Sequence, residues 1–477
     1  MNVLTVSSPC DVSADALFSW HARRGAFERL VPPWAPVRLE RFDGIREGDR
    51  AVLRIGPGPF ALRWVAEHHD VIEGRQFCDR QVQGPFAHWD HTHRFEPAPS
   101  RGSGASTLVD RIEYEVPGGA VGAFLERWLE PELRRQFAYR HRITARDVGL
   151  HQRYTGGTRS LRIAVSGASG LIGSQLTAFL RTGGHDVRRL VRSGPVRGGD
   201  ISWNPDAGMV DTPKLEGMDA VVHLAGEPVT GVWTDAKKRR IRDSRVGGTR
   251  LLAEALAGLD DPPNVFLSAS GVSYYGDHGR AVITEDSRPQ DAGFLGSVAE
   301  AWERATAPAA EAGIRTVQAR IGMVLSPAGG LLAVHHPLFW MGLGGTIGSP
   351  DTYLPWVVLD DVIGGLYHVL WTDEVEGPVN VTAPTPASMG SYAETLGRVL
   401  NRPARLNVPA SLLRSLVGEF AEETVLKSLR VRPTRLRETG YTFAYDRLAP
   451  GLRHVLGRIS SPRSEGSLQH SPSGTRV

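Results

Sequence analysis

Three glycines at fixed spacing, Gly167, Gly170 and Gly173, stand where a short apolar run gives way to a helical pattern. The chemistry this spacing suits is the holding of a diphosphate. The first glycine permits a tight turn, the second lets backbone N–H groups approach phosphate oxygens, and the third lets helix and strand close on each other. Leu161 to Val165 is rich in β-branched residues, as a buried parallel strand requires, and Leu171 to Leu180 continues at helical spacing. Strand, glycine turn and helix in that order separate a phosphate cradle from an ordinary turn.

The elements that must position this cradle follow by alternation of strand and helix, which predicts a doubly wound parallel sheet. A second strand, His185 to Leu190, runs into Val191-Arg192-Ser193. A carboxylate at that point would take a ribose 2′-OH; Arg192 with Ser193 instead suits a 2′-phosphate, which favours NADP(H) over NAD(H). Asp219 to Leu224 delivers Ala225-Gly226 to the sheet's carboxyl edge, where Leu224, Ala225 and Gly226 leave room for the adenine-ribose side of a cofactor. Thr234 is placed to cap the helix that follows. Val265 to Ser270 leads into Gly271-Val272-Ser273-Tyr274-Tyr275-Gly276, which brings hydroxyls to the same edge.

Composition narrows the function classes. A chain of 477 residues is too long for one ordinary core, and a net charge of +3 gives no reason to expect nucleic acid as a partner. Two cysteines, Cys10 and Cys78, cannot build a disulfide framework or a thiolate metal site, which points to a reducing cytoplasm. No apolar run is long enough for a bilayer span, and the N-terminus lacks the basic start and apolar core of a secretory signal.

Residues 1–150 read as an antiparallel sheet gripping a long helix. Strands are expected at RWVAEHHDVIEG, RQFCDRQVQG, FAHWDHTHRFEP and STLVDRIEYEVP. Val121, Phe124, Leu125, Trp128, Leu129, Leu133 and Phe137 then recur as the helix's core stripe, with a kink expected at Pro131. His91 and His93 share a strand face with Trp89 while His88 points away. No carboxylate on that face of the strand completes a metal site, so hydrogen-bonded strand histidines, and no metal, are expected. The segments GAFERLVPPW, DRQVQGPFAHWDHTHRF and FAYRHRITARDVGLH resemble the START-like helix-grip superfamily that includes polyketide cyclases. The resemblance implies an apolar cavity between sheet and helix.

The second part of the chain resembles the atypical extended short-chain dehydrogenase/reductases of the NAD(P)-dependent epimerase type. The resemblance rests on SGASGLIG, HLAGEPV, WTDAKKRRIRDSRVGGTRLL, SASGVSYYG, VITEDS, ARIGMVLSPAGG, GLGGTIG and PWVVLDDV, in that order. It implies NADP(H) in the glycine-rich turn, with Gly167, Ser169, Gly170, Leu171, Ile172 and Gly173 around the pyrophosphate. It also implies a C-terminal domain of unknown function over about residues 386–456.

Ordinary short-chain dehydrogenases use Tyr-x-x-x-Lys with a Ser or Thr. Lys lowers the tyrosine pKa, Tyr exchanges the proton, and the hydroxyl holds the substrate oxygen. Aligned on this chain, those three positions fall on Phe294, Val298 and Gly271, none of which can do that work. The substitutes are Ser270 or Tyr274 as the oxygen-orienting donor, Tyr275 as a proton carrier, and Glu285 or Asp286 as a loop carboxylate. Tyr274 and Tyr275 as packing beside the nicotinamide, and Glu285 and Asp286 as a solvated turn, are the plain readings beside these. Arg320 borders the expected cleft and reads equally as an anion binder or an ion-paired structural residue. Lys237 and Lys238 are expected to face solvent. His335-His336-Pro337 reads as a helix end, MGLGGTIG as a flexible loop or hairpin connection, and Asp360 or Asp361 as the cap of a helix.

The plan that results is an α+β helix-grip domain (1–150), a linker (151–159), an α/β Rossmann epimerase-like domain (160–385), a mostly helical C-terminal cap (386–456) and a disordered tail (457–477). The expected function is a cytoplasmic NADP(H)-binding oxidoreductase or epimerase without the standard Tyr/Lys/Ser set, acting on a small, apolar or polyketide-like substrate. The alternative is a non-catalytic NADP(H) sensor or scaffold whose helix-grip domain binds a lipid-like ligand.

Overall fold

Two sheets organise the chain, one antiparallel and one almost wholly parallel. The structure is a computed structural model and describes residues 1–101, 104–118, 120–192, 199–290 and 293–459. The tail read as disordered lies, from residue 460, outside the described residues.

The first sheet has seven strands: β1 (Asn2–Cys10), β2 (Val37–Phe42), β3 (Arg50–Ile55), β4 (Leu62–Ile72), β5 (Gln76–Gln83), β6 (His88–Pro97) and β7 (Ser106–Glu115). Their spatial order is β1-β7-β6-β5-β4-β3-β2, all antiparallel. Two short helices, α1 (Ala14–Ala22) and α2 (Ala26–Leu30), and the 36-residue α3 (Ala120–Thr155) pack on it. Ser13 caps α1 by accepting the Ala16 N–H at 3.1 Å. Inward-facing Leu4, Phe77, Trp89, Phe95, Leu108 and Ile112 alternate with exposed neighbours, the period-two pattern of a sheet with one wet face.

The helix corrects the sequence reading in two ways. Phe124 and Trp128 are exposed at 59% and 72%, whereas Leu133 and Phe137 are buried. The row that meets the sheet is Leu129, Leu133, Gln136, Phe137 and Arg140; Phe124 and Trp128 lie on the adjacent row, one residue and about 100° away. The helix also continues through Thr155, so the first half of the stretch read as a linker is its last turn.

The second sheet joins β8 (Arg162–Ser166), β9 (Asp186–Val191), β10 (Ile201–Asn204), β11 (Met209–Val210), β12 (Ala220–His223) and β13 (Val265–Gly271) to strands Arg315–Ile321 and Gly377–Val381. The order is β11-β10-β9-β8-β12-β13, then those two strands, parallel except for β10 with β11. The sheet reverses direction of growth at β8 and β12, and ligands of doubly wound sheets bind at that crevice. Helices α4 (Leu171–Thr182), α5 (Asp235–Ala257) and α6 (Gly293–Arg304) follow β8, β12 and β13, and Thr234 caps α5 as expected, accepting the Lys237 N–H at 3.2 Å. β8 and β12 are buried almost throughout, as strands covered on both faces must be.

Downstream, three expectations give way. His335 and His336 lie inside helix Gly330–Trp340 rather than at its end. Part of MGLGGTIG is a strand, Gly344–Ile347, paired in parallel with Ala404–Val408. Helix Leu359–Trp371 begins after Val358 with no side-chain cap, and Asp360 and Asp361 are buried in its first turn. Burial is possible because each has polar partners drawn from elsewhere. Asp360 meets Arg29 and His454, while Asp361 accepts the Ala444 and Tyr445 N–H groups and an Arg146 N–H. Among the described residues no helix is long and apolar enough to cross a membrane.

Candidate functional site

At the end of β8 the chain turns on Gly167, whose φ of +68° lies in the left-handed region. A Cβ there would stand 2.7 Å from the Leu224 carbonyl, and one on Gly173 would stand 2.1 Å from the Gly167 oxygen. Both glycines are therefore required by the packing of turn, helix and neighbouring strand. Gly170 differs. Its backbone is extended, and a Cβ would meet only the Gly167 oxygen, at 3.3 Å. A side chain there asks the protein itself for a shift of only a few tenths of an ångström, whereas a diphosphate lying against the turn would leave it no room. Gly170 is the N-cap of α4 and supplies no capping side chain, which leaves the first-turn amides of Leu171, Ile172 and Gly173 free to take an anion.

Two residues the sequence reading passed over hold this edge in shape. The Ser166 hydroxyl oxygen accepts the N–H of Leu224 at 3.1 Å and of Ala225 at 3.3 Å, and lies 2.7 Å from His223 Nδ1. Burial lowers the His223 pKa to about 4, so the ring is neutral. The signal was present as a polar residue closing each of two apolar strands, but their pairing appears only when β8 and β12 lie side by side. Gly226 is exposed beside Arg245, whose guanidinium a Cβ would approach to 3.2 Å. Arg192 is exposed just beyond β9, and Ser193 lies outside the described residues. Arg189, three residues earlier, is spent on a two-pronged ion pair with Asp200 at 2.6 and 3.0 Å.

Beyond β13 the candidate hydroxyls gather around Arg320. Arg320 is buried and grips Glu303 with two bonds of 2.7 and 2.8 Å, which resolves its open reading as an ion-paired residue. It also donates to the Tyr275 hydroxyl at 2.9 Å and lies 3.6 Å over the Tyr274 ring. Ser270 donates to Glu303 at 2.7 Å. Tyr275, fully buried, donates to Asn380 at 2.8 Å, and burial pushes its phenol up to about 12. Tyr274 is half-buried, and its hydroxyl has no hydrogen-bond partner among the described residues. Glu285 is not the solvated turn residue of the plain reading. It is buried and accepts the N–H groups of Asn380 and Arg435, and burial raises its pKa; Asp286 is exposed. On α6, Phe294 packs edge-on against Trp233 and Val298 is buried. Lys237 and Lys238 do not simply face solvent: they pair with Glu227 and Glu419.

A cleft of about 910 Å³ separates the two sheets' domains, bounded by Leu171 and Ser174 of α4, Ser326 and Ala328, and residues of α2 and the loop into β2. A second cavity, about 360 Å³ and mostly apolar, lies between the first sheet and α3. Phe27, Val37 and Phe42 line both, so one thin wall divides them.

The floor of the second cavity carries the strand histidines. The carboxylates missing from their own strand come from the strands on either side: Asp79 pairs across from His91 in β5, and Asp110 across from His93 in β7. His91 reaches Asp79 at 3.2 Å and Asp110 at 3.0 Å, and His141 of α3 closes on Asp110 at 2.6 Å. Ligand atoms of Asp79, His91 and His93 lie close enough together to hold a metal ion. Against desolvation, the two carboxylates raise the His91 pKa from 6.5 to about 9. A raised folded-state pKa stabilises fully below the ordinary value and is lost as pH rises through the shifted one. Unfolding measured from pH 6.5 to 10 is therefore expected to show wild type losing on the order of 3 kcal/mol through this group. His91→Gln should lack that component of the slope.

Comparison with known proteins places these features. Residues 163–331 match the NAD dependent epimerase/dehydratase family, 10–142 the polyketide cyclase/dehydrase and lipid transport family, and 408–455 a domain of unknown function, DUF1731. The Mycobacterium bovis epimerase family protein Mb2239 is 39% identical over 297 residues, 62% of this chain and 98% of that protein. The chain belongs to the epimerase family. Among solved structures, the nucleoside-diphosphate sugar epimerase of Corynebacterium glutamicum aligns with a TM-score of 0.78 at 31% identity, covering 95% of this chain and 90% of that one. The likeness thus spans both sheets of this epimerase-family chain. Human epimerase family protein SDR39U1, solved with NADPH, aligns with a TM-score of 0.58 at 31% identity over 63% of this chain and 100% of its own. That second alignment is the length of the parallel-sheet portion with its C-terminal extension, where the glycine cradle lies.

Proposed function

We propose that this epimerase-family chain is an NADP(H)-dependent oxidoreductase or epimerase whose substrate is a small apolar molecule held by the helix-grip domain. The observation that carries the reading is Gly170, a glycine whose replacement the protein's own packing resists far less than at Gly167 or Gly173, at the head of a helix whose first amides are uncapped. In this reading Gly167, Ser169, Gly170, Leu171, Ile172 and Gly173 surround the diphosphate. Leu224, Ala225 and Gly226 take the adenine-ribose side, and Arg192 with Ser193 the 2′-phosphate. The NADPH bound to the human relative supports the choice of coenzyme.

Bound nicotinamide would supply or accept hydride at a carbonyl carbon. The chain's part is to orient and to manage a proton. Tyr274 carries a hydroxyl without a partner among the described residues just beyond the edge of β13 and is assigned the substrate oxygen. Ser270 and Tyr275, engaged by Glu303, Asn380 and Arg320, hold the Tyr274 ring and the loop in place. The wall of Phe27, Val37 and Phe42 gives an apolar ligand a short way from its cavity to the cleft beside α4.

Arg192→Glu tests the coenzyme assignment. NADPH affinity is expected to fall by about tenfold or more while NADH affinity holds. Equal loss for both coenzymes would remove Arg192 from the 2′-phosphate site. A second reading, a non-catalytic NADP(H) sensor or scaffold, draws on Phe294 and Val298, which have nothing to titrate. Oxidation of NADPH by any member of a carbonyl panel excludes it; binding without turnover across the panel favours it.

A further inference from the structure

Arg140 of α3 lines the apolar cavity of the helix-grip domain, and its charge is unmatched by any direct partner. Among the described residues it makes no hydrogen bond or ion pair, and its Nε is buried without an acceptor. Its guanidinium lies 4.7 Å over the Phe137 ring, and desolvation lowers its pKa. An arginine stays protonated through such a shift, because its ordinary value is so high. Asp110 and Asp79 offset its charge in part from a distance, but both carboxylates are engaged elsewhere: Asp79 by His91 and His93, and Asp110 by His91, His93 and His141. A half-buried cation whose Nε is buried and which has no direct acceptor is a costly arrangement for a protein to keep unless something else supplies one.

The rest of the lining says what that something is attached to. Trp64 packs edge to face on Phe86 and Trp89, which are tilted to each other, with centroids 4.9 to 5.4 Å apart, and Leu129 and Leu133 of α3 face them. Along the inward face of β6 the order is Trp89, His91, His93, Phe95, so the polar patch sits between aromatic surfaces. A ligand filling this space needs an apolar body and one polar end, and the group facing that end is a five-donor fork that matches a carboxylate.

We propose that the helix-grip cavity binds an amphipathic organic carboxylate, its carboxylate held by Arg140 and its apolar body against Trp64, Phe86 and Trp89. The proposal rests on the reading of this cavity as a ligand site and names the ligand's chemical class. It also implies that a substrate passed across the Phe27, Val37 and Phe42 wall is an acid, not a neutral lipid.

Displacement of the fluorescent probe Nile red from the full-length chain by decanoate, decanol and decyltrimethylammonium tests it. Decanoate is expected to displace the probe at least about tenfold more tightly than decanol, with the cation weakest. Arg140→Met should bring decanoate to the level of decanol, and Arg140→Lys, which keeps the charge without the fork, should retain part of the preference. Equal affinity of the wild type for decanoate and decanol overturns the carboxylate assignment and leaves the apolar site standing. A preference for decanoate that survives in Arg140→Met overturns the role of Arg140. Failure of wild-type chain to bind Nile red or any of the three overturns the cavity reading and this inference together. Should Arg140→Met fail to fold, the wild-type preference and the Arg140→Lys comparison still decide.

Discussion

Gly170→Val is expected to leave the protein folded and to weaken NADPH binding by about a hundredfold or more. The two halves of that result come from different contacts. The residue's backbone is extended, a conformation valine favours, and its Cβ would press only on the Gly167 oxygen at 3.3 Å. Losing glycine at an N-cap that has no side-chain cap costs on the order of 1 kcal/mol, a shift of a few degrees in Tm. The same branched side chain would occupy the space over the first-turn amides, where a diphosphate must come within hydrogen-bonding distance. Gly173→Val is the contrasting control. Its Cβ would overlap the Gly167 oxygen at 2.1 Å, so stability and binding should fail together. Thermal melts alongside fluorescence titration separate the two variants.

The second large effect concerns the joint between the domains. Arg29 of α2 is 1% exposed and donates two bonds to Asp147 of α3, one to Asp360 at the head of helix Leu359–Trp371 and one to Gln175 of α4. His454 closes the cluster on Asp360 at 2.7 Å. One guanidinium thus ties the antiparallel-sheet domain to the parallel-sheet domain, and through Asp360 and His454 the cluster takes in the C-terminal segment. Arg29→Met keeps much of the volume but leaves buried Asp147 without its bonded cation and Asp360 with only the more distant Arg146, at 3.9 Å, and His454. Removing one partner of such a cluster costs about 3–5 kcal/mol, because the remaining charge stays desolvated. The domains are expected to separate into two unfolding transitions or one transition at much lower temperature, read by calorimetry. Burial raises the Asp147 pKa, against the pull of Arg29 and its hydrogen bonds. Without Arg29 that carboxyl should be driven further up and take a proton, so the variant should recover part of its stability as the pH is lowered.

How much of this was legible beforehand divides by range along the chain. The cradle was, because β-branched strand, glycine turn and helix are contiguous and each acts locally. The four later strands of the first sheet were, from alternation bounded by glycine and proline. β2 and β3 were not, since VRLERF and RAVLRI mix charged and apolar residues on a half-exposed edge of the sheet. The clusters that lock the molecule were illegible for a plainer reason. Arg29 lies 118 positions from Asp147 and 331 from Asp360, and no local pattern relates them. Glu285 misled in the same way: in sequence it is a polar turn residue, and only the strand carrying Asn380 and the turn at Arg435 give it the donors that permit burial. The histidine patch shows the reverse error, a strand judged alone when its neighbours supplied the carboxylates.

A nicotinamide coenzyme resting against the turn at Gly170 is the central claim, and calorimetric titration of the full-length chain measures that contact directly. Saturable heat with NADPH at one site per chain, weaker with NADH and abolished by Gly170→Val, is the result it requires. A chain that melts normally yet gives no saturable heat with NADPH, NADP⁺, NADH or NAD⁺ would contradict it.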